Sequence, residues 1–380
     1  MRVALVLDRL VAARGGLESW AAGFADWLLR RGCEVHGLAF EFDDALPPGL
    51  VRHRLPRPAD RVARAAALAA ALDRVPPALV HDFGVGWRFD LLHVHAGSRR
   101  TVLRQSLRAL PLRRRLRAWL DHVRGRRRDD IETRQYAPGR GRIVAVSPMV
   151  KSHLVRDYAI DPARIDVVWN GVDAERFSPA YRDRHRAEAR ERLEVGAATT
   201  FVFLGHNYHL KGLAPALRAT ARLARETPAV RLCVVGNGPE EAFAALARRL
   251  DVARQVRFVR DVADPRPYLA AADVLLHPTF YDSCSLAVLE AWAMGVPAIT
   301  SRWNGVHELW PAEHGGWVLE DPGDVDEVAR AMRRALDPAR RASAADAGRA
   351  VIQARSLEAN FTRIEELYRQ VLRTRGDGRG

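Results

Sequence analysis

Lysine is nearly missing from this chain of 380 residues: of its sixty basic side chains, all but Lys151 and Lys211 are arginine. Such a skew reflects a codon bias toward arginine, so a surviving lysine becomes a candidate for a place that needs a compact ammonium rather than a planar fork. Cysteine is almost as scarce. Cys33, Cys233 and Cys284 are odd in number, far apart and outside any C-x-x-C spacing, which excludes a disulfide framework and a cysteine-based zinc site and leaves reduced thiols. Long apolar runs are lacking too. The longest stretch without a charge, Val195 to Leu210, is sixteen residues and holds His206, Asn207 and His209, short of the roughly 18 apolar residues of a membrane span. At the start, Val3 to Leu7 is too short and too soon interrupted by Asp8 and Arg9 to be a secretory signal. It reads as a first buried strand, and the expected location is the cytoplasm.

What is present describes a folded protein of two ordinary domains, with 48% hydrophobic and 28% charged residues. The net charge of +14 is not evenly spread. From Arg99 to Arg128 there are twelve arginines against the single acid Asp121, interleaved with Leu103, Leu107, Leu112, Leu116, Trp119 and Leu120. This basic amphipathic segment is a solvated helix face, or a surface for an anionic membrane or a phosphorylated acceptor; nucleic acid is disfavoured because no aromatic-basic platform or helix-turn-helix pattern accompanies it.

Short aliphatic runs alternate with helical periods throughout. Strands are expected near Val3, Glu34, Ala78, Leu91, Ile143 and Ile165, and again near Thr200, Arg231, Gln255, Asp273, Pro297 and Gly316. Strand and helix in alternation mean parallel sheets covered on both faces. Both halves open alike, with a strand, a glycine-bearing loop (Gly15-Gly16; Gly205 to Lys211-Gly212) and a helix. The expectation is an N-terminal Rossmann-like domain over 1–175, a C-terminal one over 176–356, and a last helix over 357–373 that packs back on the first. The turn Asn170-Gly171-Val172-Asp173 and the charged helix after Pro179 form the linker. Ligands of such sheets bind at the carboxyl ends of the strands.

The richest loop runs from His277 to Pro297. Asp282 is followed by Ser283 to Ser285, read as the cap of a helix that stops at Gly295. Leu286, Leu289 and Ala293 give that helix an apolar stripe with Glu290 on its edge. A carboxylate there is partly buried, and needs either a buried arginine or a ligand rich in hydroxyls. Asp324-Val325-Asp326 has the spelling of a metal-binding DxD, but its place before a helical period makes it an N-cap. A Cys284 nucleophile working with His277 is the alternative chemistry.

The Asp282-x7-Glu290 arrangement, followed by Met294-Gly295, Pro297, Asn304-Gly305 and Glu308, resembles the signature of the retaining family 4 glycosyltransferases of GT-B fold. Gly15-Gly16 before Leu17-Glu18, the Asn170 to Asp173 turn with Phe177 and Pro179, Lys211-Gly212, and Gly236-Asn237-Gly238-Pro239 follow in that family's order. The stretch from Gly205 to Gly212 and the Tyr281 to Ser285 segment look closest to the branch of the lipopolysaccharide core glucosyltransferases. The resemblance implies two facing doubly wound domains with a cleft between them. It also implies a UDP-sugar, most simply UDP-glucose, as donor substrate, with no other cofactor and no metal. Lys211 and backbone amides would then stabilise the departing diphosphate. Gly15, Gly16, His209 and the helix start at Ser283, Cys284, Ser285 and Leu286 would line the donor, Asp282 would hold its sugar and Glu290 its ribose. His95 would stand by the reacting carbon, with His93 or His81 as other matches. The acceptor implied is a cell-envelope glycolipid reached as a peripheral membrane protein. The rivals are a soluble-acceptor enzyme of sucrose-phosphate or glycogen synthase type, a sugar-nucleotide epimerase, and a basic nucleic-acid-binding protein without activity. Two departures stand out: the family usually opens the motif with Glu rather than Asp282, and many members carry an Arg where His209 stands.

Overall fold

The computed structural model describes residues 1–11, 16–76, 78–125, 131–311 and 317–377, with the side chains of 121–125 and 375–377 left aside. The chain divides into two compact units, one of residues 1–101, 116–169 and 358–380, the other of residues 102–115 and 170–357.

The first unit is built on a seven-stranded sheet, in the order Val51–Arg54, Glu34–Ala39, Arg2–Val6, Leu79–Asp82, Leu91–Val94, Arg142–Ala145, Ile165–Val167. Every pairing is parallel. Runs such as Val3 to Leu7 and Leu91 to Val94 are buried along their whole length because helices cover both faces. The edge strand Val51–Arg54 was not expected. Its sequence, Val-Arg-His-Arg, faces solvent and carries the charge that blunts an open edge. The stripe Phe361, Ile364, Leu367 and Tyr368 of the last helix, Leu357–Asp377, is buried within this unit. Phe361 packs on Phe24 at 5.1 Å and on Trp20 at 5.5 Å, and Asn360 accepts a hydrogen bond from the Trp20 indole at 2.8 Å.

The second unit has a six-stranded sheet in the order Val256–Val259, Val230–Val235, Thr199–Leu204, Val274–Leu276, Ala298–Ser301, Val318–Leu319. All of these strands are again parallel. The linker helix Pro179–Arg192 is tied to this sheet by Arg186 and Arg190, which both pair with Asp273, at 2.6 and 3.2 Å. In each sheet the order reverses beside the first strand of its unit, between Arg2–Val6 and Leu79–Asp82 and between Thr199–Leu204 and Val274–Leu276. At such a switch point the loops leave in opposite directions and open a crevice at the strands' carboxyl ends.

The basic segment forms two helices, Arg99–Ala109 and Leu112–Gly125, and its last residues, 126–128, lie outside the described residues. Among the described residues no helix is long and apolar enough to cross a membrane.

Candidate functional site

At the switch point of the second unit, two loops meet: residues 205–212 after Thr199–Leu204, and residues 277–285 after Val274–Leu276. Backbone bonds lock them together. The Leu210 carbonyl accepts from the Phe280 amide at 2.7 Å and the Thr279 hydroxyl at 3.1 Å. Gly212 caps the helix Leu213–Glu226 in the left-handed region, at φ 81°, and a side chain there would overlap the Pro278 carbonyl. That close approach is the reason for glycine after Lys211.

This closure sets the Lys211 ammonium against the Asp282 carboxylate in an ion pair. The same Asp282 oxygen receives His277 Nε2 at 3.0 Å, and Ser285 Oγ lies 3.5 Å from that nitrogen. Lys211 and Asp282 keep 20% and 14% of their side chains exposed, whereas His277 has 1%. Burial alone would raise the Asp282 carboxyl, but the Lys211 charge and the His277 hydrogen bond outweigh it and hold it below the usual carboxylate range. Burial lowers the His277 pKa, so the imidazole is neutral and donates through Nε2, leaving Nδ1 a buried acceptor without a partner among the described residues. Asp282 is fixed through its backbone as well: its amide donates to the Trp303 carbonyl at 2.9 Å and its own carbonyl accepts from Gly305 at 2.8 Å.

Three expectations change here. Ser285 sits at the N-cap of Leu286–Ala293 but makes no side-chain cap; instead its amide donates to Asn304 Oδ1 at 3.2 Å. Leu286 is half-buried rather than part of the inward stripe, and Val288, Leu289, Ala291 and Trp292 are fully buried because this helix is apolar on nearly every side. Cys284 is no nucleophile beside His277, whose ring turns to Asp282; burial pushes the Cys284 thiol up to about 12. His209 packs on Phe243 at 5.0 Å with neither ring nitrogen hydrogen-bonded among the described residues, and burial, aided by the Arg114 charge, lowers its pKa.

Glu290 is half-buried, and its carboxylate makes no hydrogen bond or ion pair among the described residues. Burial raises its carboxyl to about 7, against the pull of the Arg176 charge and with Asp264 adding to the rise. No buried arginine bridges it, so the hydroxyl-binding reading keeps its physical motive. Ser283 is buried in the same loop. Asp324 accepts from the amides of Asp326 and Glu327 at 2.8 and 3.2 Å, as a helix cap does. His277 is the residue whose place the sequence did not reveal; its position at the end of a buried strand was the only signal.

In the first unit, Gly16 opens the helix Gly16–Arg30, and Gly15 lies outside the described residues. His95 follows Leu91–Val94 and joins a box of rings, 3.8 Å from His93, 5.3 Å from Trp20 and 5.8 Å from Phe83. Burial pushes it down to about 3. His81 and His93 are depressed by burial too; His81 Nδ1 meets the Tyr368 hydroxyl at 2.6 Å. Those two lie inside the core, and His95 alone of the three retains partial exposure.

Two parallel α/β units, each with a switch point, one of them lined by an ammonium, carboxylates and a helix start, are the parts of a GT-B glycosyltransferase. Family models agree: one described as glycosyl transferases group 1 matches residues 198–338, and one described as glycosyltransferase family 4 matches residues 14–176. The chain thus carries a family 4 glycosyltransferase domain followed by a glycosyl transferases group 1 domain. Among curated relatives, D-inositol 3-phosphate glycosyltransferase 2 of Catenulispora acidiphila is 34% identical over 197 residues, 48% of this chain and 45% of that one. The chain spans about half the length of the first such relatives it matches. The fold is also that of WaaG, a glycosyltransferase involved in lipopolysaccharide biosynthesis, with a TM-score of 0.81 and 21% identity over 95% of this chain and 98% of WaaG. Anabaena HepE, solved with UDP and glucose, gives 0.71 and 17% over 97% and 100%.

Proposed function

We propose that the chain is a retaining hexosyltransferase that takes glucose from UDP-glucose and passes it to an acceptor of the cell envelope, working without a metal. The observation that carries this reading is the Lys211 ammonium held at the switch point of the second unit beside Asp282 and the uncapped helix start at Leu286. A nucleotide sugar leaves as a diphosphate, and the growing charge on its leaving oxygen needs a cation and free amides. Lys211 supplies the first and the opening amides of Leu286–Ala293 the second. Asp282 is left to hold the sugar hydroxyls and Glu290 the ribose. On this reading no side chain serves as nucleophile: attack comes on the face from which the diphosphate leaves, and the leaving phosphate oxygen takes the acceptor's proton. HepE, of the same fold, binds UDP and glucose, which supports the donor.

A membrane-borne acceptor is supported by the helix Leu112–Gly125. Leu112, Leu116, Trp119 and Leu120 recur at helical spacing and are 79%, 64%, 50% and 38% exposed, beside Arg113, Arg114, Arg115 and Arg117. Such a face suits an anionic bilayer surface at the cytoplasmic side. The second reading is a soluble phosphorylated polyol as acceptor, favoured by the names of the curated relatives. The test is hydrolysis and transfer from UDP-sugars by the purified chain in EDTA, with product anomer read by NMR. Turnover that needs added metal, or an inverted product, refutes the mechanism.

A further inference from the structure

Two histidines meet at the edge of the first unit's sheet. On the strand Glu34–Ala39, Glu34 and His36 are two residues apart and share a face. His53 stands on the neighbouring edge strand Val51–Arg54, diagonal to His36, since His36 pairs with Val51 and Leu38 with His53. His36 Nδ1 lies 2.8 Å from His53 Nε2, and His36 Nε2 lies 2.9 Å from Glu34 Oε1. The ring planes differ by 21° and the centroids are 5.1 Å apart, so the imidazoles meet edge to edge. The second Glu34 oxygen takes the Arg2 guanidinium at 2.8 Å.

The carboxylate decides where the ring protons sit. Hydrogen bonds from His36 and Arg2 lower the Glu34 carboxyl, and an ionised carboxylate only accepts. His36 Nε2 therefore carries the proton, its Nδ1 is a bare lone pair, and His53 Nε2 is the donor that fills it. His36 keeps 5% of its side chain exposed and is fixed, whereas His53 is half-buried on a strand paired on one side only. Arg52 and Arg54 flank His53 but alternate to the opposite face. They donate to the carbonyls of Asp43, Leu46 and Phe42, so neither guanidinium is aimed at the imidazoles. A histidine whose far nitrogen donates to a carboxylate, with its near nitrogen unprotonated and turned to a second imidazole, has the second-shell arrangement of a metal ligand.

We propose that His36 Nδ1 and His53 Nε2 form a two-histidine site for a divalent transition ion such as Zn²⁺, with Glu34, anchored by Arg2, as the outer carboxylate. Bonds of about 2.0–2.1 Å at a tetrahedral angle set the nitrogens about 3.3 Å apart, so the His53 ring withdraws by roughly 0.5 Å. A half-buried side chain on an edge strand can make that movement. The His53 proton passes from Nε2 to Nδ1, the ring stays neutral, and nothing is oxidised or reduced. Among the described residues no three His, Cys, Asp or Glu side chains converge, so water completes the coordination. Imidazole nitrogens select Zn²⁺, Ni²⁺ or Cu²⁺ over the oxygen-seeking Mg²⁺ and Ca²⁺. The ion clasps the edge strand to its neighbour and takes no part in the reaction proposed above, which runs in EDTA.

The experiment is calorimetric titration of the full chain, stripped with EDTA and then freed of the chelator, with ZnCl2 and with MgCl2. Zn²⁺ is expected to bind and Mg²⁺ is not. His53→Ala should weaken Zn²⁺ binding about tenfold or more, and so should Glu34→Gln, which keeps an acceptor for His36 but removes the charge. His185→Ala, on the helix Pro179–Arg192 of the second unit, should change nothing. A second readout needs no variant and so cannot be confused with misfolding. One equivalent of Cu²⁺ on the native chain should give an electron paramagnetic resonance spectrum split by two imidazole nitrogens, and Zn²⁺ should displace it. Absence of Zn²⁺ binding, binding retained in full by His53→Ala, or a Cu²⁺ spectrum with one coupled nitrogen or none overturns the proposal.

Discussion

Removing the Lys211 ammonium separates its observed duty, holding Asp282, from the one we propose for it, stabilising a diphosphate. The pair is 20% and 14% exposed, between surface and interior, so its gross attraction at contact is about 4 kcal/mol at an effective dielectric constant near 20 and is largely offset by desolvation. Lys211→Ala should therefore cost roughly 1–2 kcal/mol of stability, because Asp282 keeps only the neutral His277 as partner. Turnover should fall by about 10²–10³, the usual effect of deleting one stabilising group for a developing anion. Lys211→Ala/Asp282→Asn distinguishes the two effects. With the carboxylate neutral, the amide can still accept from His277 and most of the lost stability should return, yet turnover should remain at least as low as in Lys211→Ala. Urea denaturation gives the first quantity and release of UDP from UDP-glucose the second. A double variant that regains turnover within about tenfold of the native enzyme, or a single variant within about threefold, would show that the ammonium only neutralises Asp282, and the diphosphate role would be lost.

Glu290 gives a pH signature. Its carboxyl is raised to about 7 in the folded chain, so the fold retains a proton that the unfolded chain has already released; stability declines as pH climbs from about 5 to 7, and the penalty is complete above that. Glu290→Gln should accordingly gain on the order of 1–3 kcal/mol at pH 8 and nothing at pH 4, read by thermal melts. Hydroxyls that donate to the ionised form should tighten UDP binding through the same window, and equal pH profiles for native and Gln variants would disprove that contact. Gly212→Ala forces a left-handed alanine against the Pro278 carbonyl, and a loss of at least about 2 kcal/mol in chemical denaturation is expected. Leu116→Ser with Trp119→Ser removes two exposed apolar anchors; co-sedimentation with anionic vesicles should weaken more than tenfold, roughly, and unchanged binding would remove the membrane role.

How much of this was legible in the sequence follows from the kind of signal each feature leaves. The buried parallel strands leave continuous aliphatic runs, and their expected places differ from the observed ones by a residue or two. The edge strand Val51–Arg54 leaves none, since most of its side chains face solvent and need not be apolar. Lys211 was visible by rarity and Glu290 by its place beside an apolar stripe. His277 was visible only as a histidine ending a strand, because its partner is chosen by a loop closure through the Leu210 carbonyl that no local pattern encodes. Ser285 misled for a similar reason. It spells an N-cap, yet Asn304, nineteen residues further on, accepts from its amide and releases its hydroxyl toward His277.

On the proposed reading, the shorter acid at 282 has a physical purpose. An ammonium waiting in a crevice is costly unless neutralised, and a carboxylate waiting there is equally so. The two loops of the switch point each contribute one of these charges, so each offsets the other's desolvation while the site is empty. A diphosphate presented to Lys211 replaces one anion by another, and the exchange leaves Asp282 with the His277 N–H and a free oxygen for a sugar hydroxyl. The swap needs little reorganisation because Asp282 is held by its backbone through Trp303 and Gly305 rather than by the ion pair. Its side chain can therefore give up the lysine without giving up its position.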